Sequence, residues 1–117
     1  MSGAELGFDL DALLESVAGD CDLLDELAAT FISGAPGWIA SLRAALERGD
    51  AATVFRVAHG VTGAVGYFRA AEVRQLAATL EAMGRAGQLE GAPAALDQLE
   101  AALLELKRLL GEAPWRR

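Results

Sequence analysis

Apolar positions recur along this chain at helical spacing. In the last long segment Leu96, Leu99, Leu103, Leu106 and Leu110 follow one another at intervals of three and four, one stripe on one side of a helix. Pro93 stands near its start and Gly111 at its end, the favoured asymmetry of helix termini. Before it, Val73, Leu76, Leu80 and Met83 form a second stripe, closed by Gly84 and Gly87. Leu23, Leu27 and Phe31 form a third, opened by Asp20 or Asp22 as a cap. The stripe resumes after Pro36 with Ile39, Leu42 and Leu46 and stops at Gly49, and Pro36 is predicted to kink or break the helix between the two halves. A short first helix from Asp9 to Val17 carries Leu10, Leu13, Leu14 and Val17, and a further helix runs from Asp50, a good N-cap, to about Phe68. Five or six helices with short connections pack most economically as an antiparallel four-helix bundle with the short N-terminal helix as a lid. The reading is a single all-α domain over 1–117, with its core over about 9–111. Residues 112–117 are expected to fray, and nothing in the sequence requires Trp115 to pack back.

Composition strengthens the helical reading. Ala (25) and Leu (19) are strong helix formers and dominate the 117 residues, whereas Val, Ile and Thr together number 12, too few for a sheet-rich domain. Charge and rare residues then exclude functions. Seventeen acids against ten Lys and Arg leave a net charge of −7, which argues against nucleic acid as a partner because phosphate binding needs a basic face. One Cys makes no internal disulfide, and one Cys with one His builds no structural zinc site. The acids at Asp9, Asp11, Asp20, Asp22 and Asp25 read as caps and solvated faces rather than metal ligands, and Cys21 as an inert thiol. No apolar run reaches the ~18 residues of a membrane span. The first ten residues lack the basic and apolar regions of a signal peptide. A cytoplasmic domain with no metal site and no membrane or nucleic-acid partner is expected.

The one His stands in the helix that breaks the composition rules. With His59 at 0° and 100° per residue, Val54, Val57, Val61, Val65 and Phe68 fall between about 160° and 240°, a core stripe directly opposite the imidazole. Phe55, Arg56, Thr62, Gly63 and Gly66 lie on the His59 side, and Gly60 flanks it. Three glycines within one helix cost about 3 kcal/mol relative to Ala, a large share of a small domain's stability. Their placement reads as steric clearance that lets another protein approach the ring, with Phe55 as an aromatic docking contact. An exposed imidazole is largely neutral and nucleophilic near neutral pH. From spacing alone, a merely solvated His remains open.

Ala58-His59-Gly60-Val61-Thr62-Gly63-Ala64 resembles the signature of histidine-containing phosphotransfer (HPt) domains of two-component phosphorelays. Asp22, Leu23, Leu24, Phe31 and Pro36, the Gly49-Asp50 pair before the His, and the Leu76 and Leu80 spacing after it extend the resemblance over roughly Leu10 to Leu110. The resemblance implies a four-helix bundle that accepts a phosphoryl group on His59 Nε2 and exchanges it with an Asp of a response-regulator receiver domain. A hybrid histidine kinase is a further partner class. It implies no kinase activity, no ATP site and no cofactor of the chain's own, the Mg²⁺ belonging to the receiver, and a monomer is the default. Gly63 would give the family's clearance and Val61 its buried apolar residue. Thr62 departs from the pattern, because the family usually has Lys there. Arg56 is the first candidate to replace that charge. Arg69, where the family tends to have Gly, is a second. The alternative is a degenerate, non-catalytic helical adaptor that binds a signalling partner through the His59 face. An enzyme with its own hydrolytic site is disfavoured, because one His without a paired base or nucleophile does not make one.

Overall fold

The computed structural model describes residues 9–68 and 70–116. Their polypeptide forms five α-helices: α1 (Leu10–Ser16), α2 (Cys21–Arg48), α3 (Ala51–Val65), α4 (Ala71–Ala86) and α5 (Ala92–Gly111). Two 3₁₀ turns, Gly66–Phe68 and Pro114–Arg116, follow α3 and α5. The caps lie where side-chain chemistry calls for them. Asp9, Asp20 and Asp50 each accept a hydrogen bond from the backbone N–H three residues on, which satisfies one orphan donor of α1, α2 and α3 respectively. Asp20 rather than Asp22 is therefore the α2 cap. Gly49 and Gly87 end α2 and α4 in the left-handed conformation, at φ 67° and 69°.

Helices α2 to α5 form the antiparallel four-helix bundle, in which α2 and α4 each pack against both α3 and α5. The core consists of the predicted stripes: Leu24, Phe31, Ile39 and Leu42 from α2, Val54, Val61 and Val65 from α3, Val73 and Leu80 from α4, and Leu96, Leu99, Leu103, Leu106 and Leu110 from α5. Phe68, 1% exposed, closes one end of the core edge-to-face against Phe31, with ring centroids 5.5 Å apart. Helix α1 lies across the two 3₁₀ turns as the expected lid.

Three expectations are corrected. Helix α2 does not break at Pro36 but continues through it as one element of 28 residues. The missing N–H and the ring's crowding of the preceding turn cost about 3 kcal/mol. Burial of Phe31 and Ala35 before it and of Ile39 and Leu42 after it on the same core outweighs that cost. Gly84 does not close α4. It lies within the helix and is buried, and the chain turns only at Gly87. The tail, finally, is not frayed over Glu112–Arg116. Trp115 is 6% exposed and donates its indole N–H to Asp25 (2.9 Å). Arg116 pairs with Asp22 and Asp25, and the Cys21 thiol sits 3.5 Å from the Trp115 carbonyl oxygen. Arg117 and Arg69 lie outside the described residues, as does most of the N-terminal segment read for a leader.

Candidate functional site

The site is built on α3. Its inner face is fixed by Val54, Ala58, Val61 and Val65, all 0% exposed, so the opposite face must look outward. His59 occupies that outer face, with 71% of its side chain exposed. The helical-wheel placement is correct, and the solvated face extends along Gly60, Gly63 and Gly66. A Cβ added at any of these three glycines would meet no atom within 4 Å. Nothing among the described residues therefore requires glycine there, and the three leave the face beside His59 clear.

The imidazole is oriented by two neighbours. Its Nδ1 lies 2.5 Å from Oε1 of Glu81 on α4, and the ring stacks beside Phe55 at 6.0 Å between centroids and 19° between planes. A carboxylate can only accept, so the neutral ring carries its proton on Nδ1 and its lone pair on Nε2. Nε2 makes no hydrogen bond within the described residues. Glu81 is held in turn: its side chain is 17% exposed, and its second oxygen faces the Arg85 guanidinium at 3.7 Å. Arg85 also lies over the Phe55 ring, 5.2 Å from the centroid. Phe55, read from the sequence as an exposed aromatic, is thus half-buried between His59 and Arg85.

The short reach of Glu81 depends on how closely α3 and α4 approach. Gly84, one turn beyond Glu81, lies directly against the α3 backbone. A Cβ there would sit 2.5 Å from the Phe55 nitrogen and 2.8 Å from the Ala51 carbonyl oxygen. The glycine that serves packing is therefore on α4, and it sets the helix separation at the level of the His59–Glu81 contact.

The two candidate supports of His59 on α3 are turned to other partners. Thr62 Oγ1 donates to the His59 carbonyl oxygen at 2.7 Å, a hydrogen bond within its own helix. Arg56 donates to Thr53 Oγ1 at 3.2 Å, and Thr53 donates to Asp50, so Arg56 is drawn toward the N-terminal end of α3 and away from His59. Beyond His59, Thr62, Gly63 and Gly66 line a shallow cleft with Ala70, Ala71 and Arg74 of the facing segment. Among the described residues no group of three His, Cys, Asp or Glu side chains is placed to hold a metal ion.

With this geometry in hand, the chain matches the Hpt domain over residues 26–109. The chain belongs to the Hpt domain family. Among solved structures this Hpt domain resembles the histidine-containing phosphotransfer protein B from Pseudomonas aeruginosa PAO1. The two are 27% identical with a TM-score of 0.85, covering 94% of this chain and 96% of that one. No similar curated protein sequence was found. The all-α four-helix bundle is the fold shared with that structure. No helix among the described residues of this Hpt domain is long and apolar enough to cross a membrane.

Sequence reasoning missed Glu81 and Arg85. Both come from α4; Glu81 meets His59, Arg85 meets Glu81 and Phe55, and these contacts rest on the tight α3–α4 approach at Gly84. The available signal was an acid at the edge of the Leu80 stripe followed three residues later by a glycine inside the helix.

Proposed function

We propose that this Hpt domain is a phosphorelay carrier in which Nε2 of His59 takes a phosphoryl group from a receiver-domain aspartate and passes it on. The observation that carries the reading is the Nδ1–Glu81 contact on an otherwise exposed ring, since it leaves Nε2 as the nucleophilic nitrogen. In the transfer the Nε2 lone pair attacks phosphorus in line. The N–P bond forms as the P–O bond to the partner's aspartate breaks, and the aspartate leaves as carboxylate. Glu81 stabilises the positive charge that develops on the ring as it is phosphorylated. Receiver-bound Mg²⁺ serves the partner's side of the reaction. Phosphoryl transfer depends mainly on positioning and charge stabilisation, so a rigid helix presenting one oriented imidazole is a sufficient contribution.

The open face at Gly60, Gly63 and Gly66, bordered by Phe55, is the docking surface for the receiver domain. A hybrid histidine kinase carrying such a domain is the corresponding partner class. The chain acts as a cytoplasmic monomer and has no kinase or ATP site of its own. The competing reading, a non-catalytic adaptor, draws on Thr62 alone, whose hydroxyl is committed to the backbone. One experiment separates the two. Incubation with a radiolabelled phospho-receiver should place acid-labile, alkali-stable label on the chain, and His59→Gln should take none. An unlabelled wild type, or equal label on the variant, contradicts the proposal.

A further inference from the structure

Phosphorylation at His59 creates an electrostatic problem that the surrounding residues must solve. The product carries a phosphoryl dianion on a ring whose other nitrogen faces the Glu81 carboxylate at 2.5 Å, in a chain of net charge −7. The retained Nδ1 proton leaves one positive charge on the ring, which offsets the Glu81 carboxylate and leaves the phosphoryl dianion uncompensated unless a further cation lies beside it. Thr62, one turn from His59, brings no charge, and its proton is already donated to the His59 carbonyl oxygen.

The described arginines differ sharply in their commitments. Arg43 binds Asp97 and Glu100, Arg108 binds Glu105 and Glu112, and Arg116 binds Asp22 and Asp25. Arg48 pairs with Asp50, and Arg56 donates to Thr53. Arg74 stands seven residues before Glu81 on α4, ~10 Å away along the axis by helical rise. Arg85 alone shares a carboxylate with His59: Glu81 presents Oε1 to the imidazole and Oε2 to the guanidinium. Its hold there is loose. A distance of 3.7 Å is beyond hydrogen-bonding range, its remaining contact is with the Phe55 ring face, and its side chain is 67% exposed. Its donors are therefore available to an anion arriving beside Phe55.

From this geometry we infer that Arg85 is the residue that neutralises the phosphoryl group on His59, turning from the Phe55 face to pair with the phosphoryl oxygens. The inference rests on the acceptor role proposed for His59. The guanidinium fork suits two phosphoryl oxygens at once, and Glu81 keeps the cation at the site while the ring is unmodified. Phe55 then acts as a resting platform for Arg85 as well as a wall for the imidazole.

Phosphoramidate, which phosphorylates histidine without a partner protein, provides the test. The fraction of His59 phosphorylated at a fixed donor concentration and the lifetime of the product are followed by ³¹P NMR. Arg85→Ala should retain its circular dichroism spectrum and lose about tenfold in one or both quantities, the scale of a charge-assisted hydrogen bond. Arg85→Lys should recover part of the loss. Thr62→Lys placed in the Arg85→Ala background should recover it too, because it returns a cation to the same face one turn away. Wild-type yield and lifetime in Arg85→Ala overturn the inference and leave the acceptor role intact. Failure of both Lys variants to recover any loss also overturns it, since that pattern belongs to packing rather than charge. Absence of any phosphohistidine signal from wild type overturns the acceptor role itself.

Discussion

Two glycines in this Hpt domain perform opposite tasks, and the difference is measurable. Gly63 borders open space, so a side chain there is accommodated by the fold and felt only by a partner. Gly63→Leu should leave thermal unfolding within a few degrees of wild type and slow transfer from a phospho-receiver by about 10²-fold, the scale of a small misplacement of reacting groups. Stopped-flow or quench measurements of transfer check this, and an unchanged rate would show that the cleared face is not the docking face. Gly84 borders the α3 backbone, where nothing flexible can yield. Gly84→Ala should lower stability in urea by about 1–3 kcal/mol or more, the range for overpacking a close contact. It should also loosen the hold of Glu81 on Nδ1, visible as a changed histidine tautomer signal in ¹⁵N NMR. Which glycine did which could not be read from composition: both break helix propensity, and only the facing helix distinguishes them.

At the scale of elements, the stripes of Leu, Val and Phe predicted the helices because each has one buried face and a period of three to four. His59 was placed outward for the same reason. The sequence misled where tertiary packing overrode local chemistry. Pro36 carries a strong local penalty, yet α2 continues through it as one helix because its core stripe continues on both sides. Pro36 is itself exposed, so Pro36→Ala should restore a helical hydrogen bond without disturbing the core. An increase of about 1–3 kcal/mol in unfolding free energy is expected, the proline penalty less the rigidity proline gives the unfolded chain. Equal or lower stability in urea titrations would show that the proline is held for a packing reason. Glu81 and Arg85 were not legible because they meet His59 and Phe55 respectively across a helix pair, and sequence periodicity describes faces, not which faces touch.

For the whole molecule, the acidic balance that argues against a nucleic-acid partner also organises the fold's closure. The C-terminal turn returns to α2 through Trp115 and Arg116, and the Asp25 carboxyl is held below its ordinary value of 3.8, first by its hydrogen bond from Arg116 and then by that from Trp115. A group with a depressed folded-state value contributes stability above its unfolded value and loses that contribution as pH falls through the folded one. The closure should therefore hold at neutral pH and open in acid, below about pH 4. Fluorescence of Trp115 in a Trp38→Phe background should report this opening, and Asp25→Asn should show it already at pH 7. No change in Trp115 emission between the two proteins would contradict the account of the clasp. The tail was expected to fray because its partners, Asp22 and Asp25, stand some ninety positions earlier and only the folded bundle brings them close.

The central claim is that one nitrogen of one imidazole carries the phosphoryl group. With a single His in the chain, ¹⁵N labelling of histidine and phosphorylation by a phospho-receiver give an unambiguous spectrum. The account predicts ¹⁵N–³¹P coupling at Nε2 of His59, with the proton of the ring remaining at Nδ1 beside Glu81. Coupling at Nδ1, or phosphorylated chain with no coupling to either nitrogen, would contradict it.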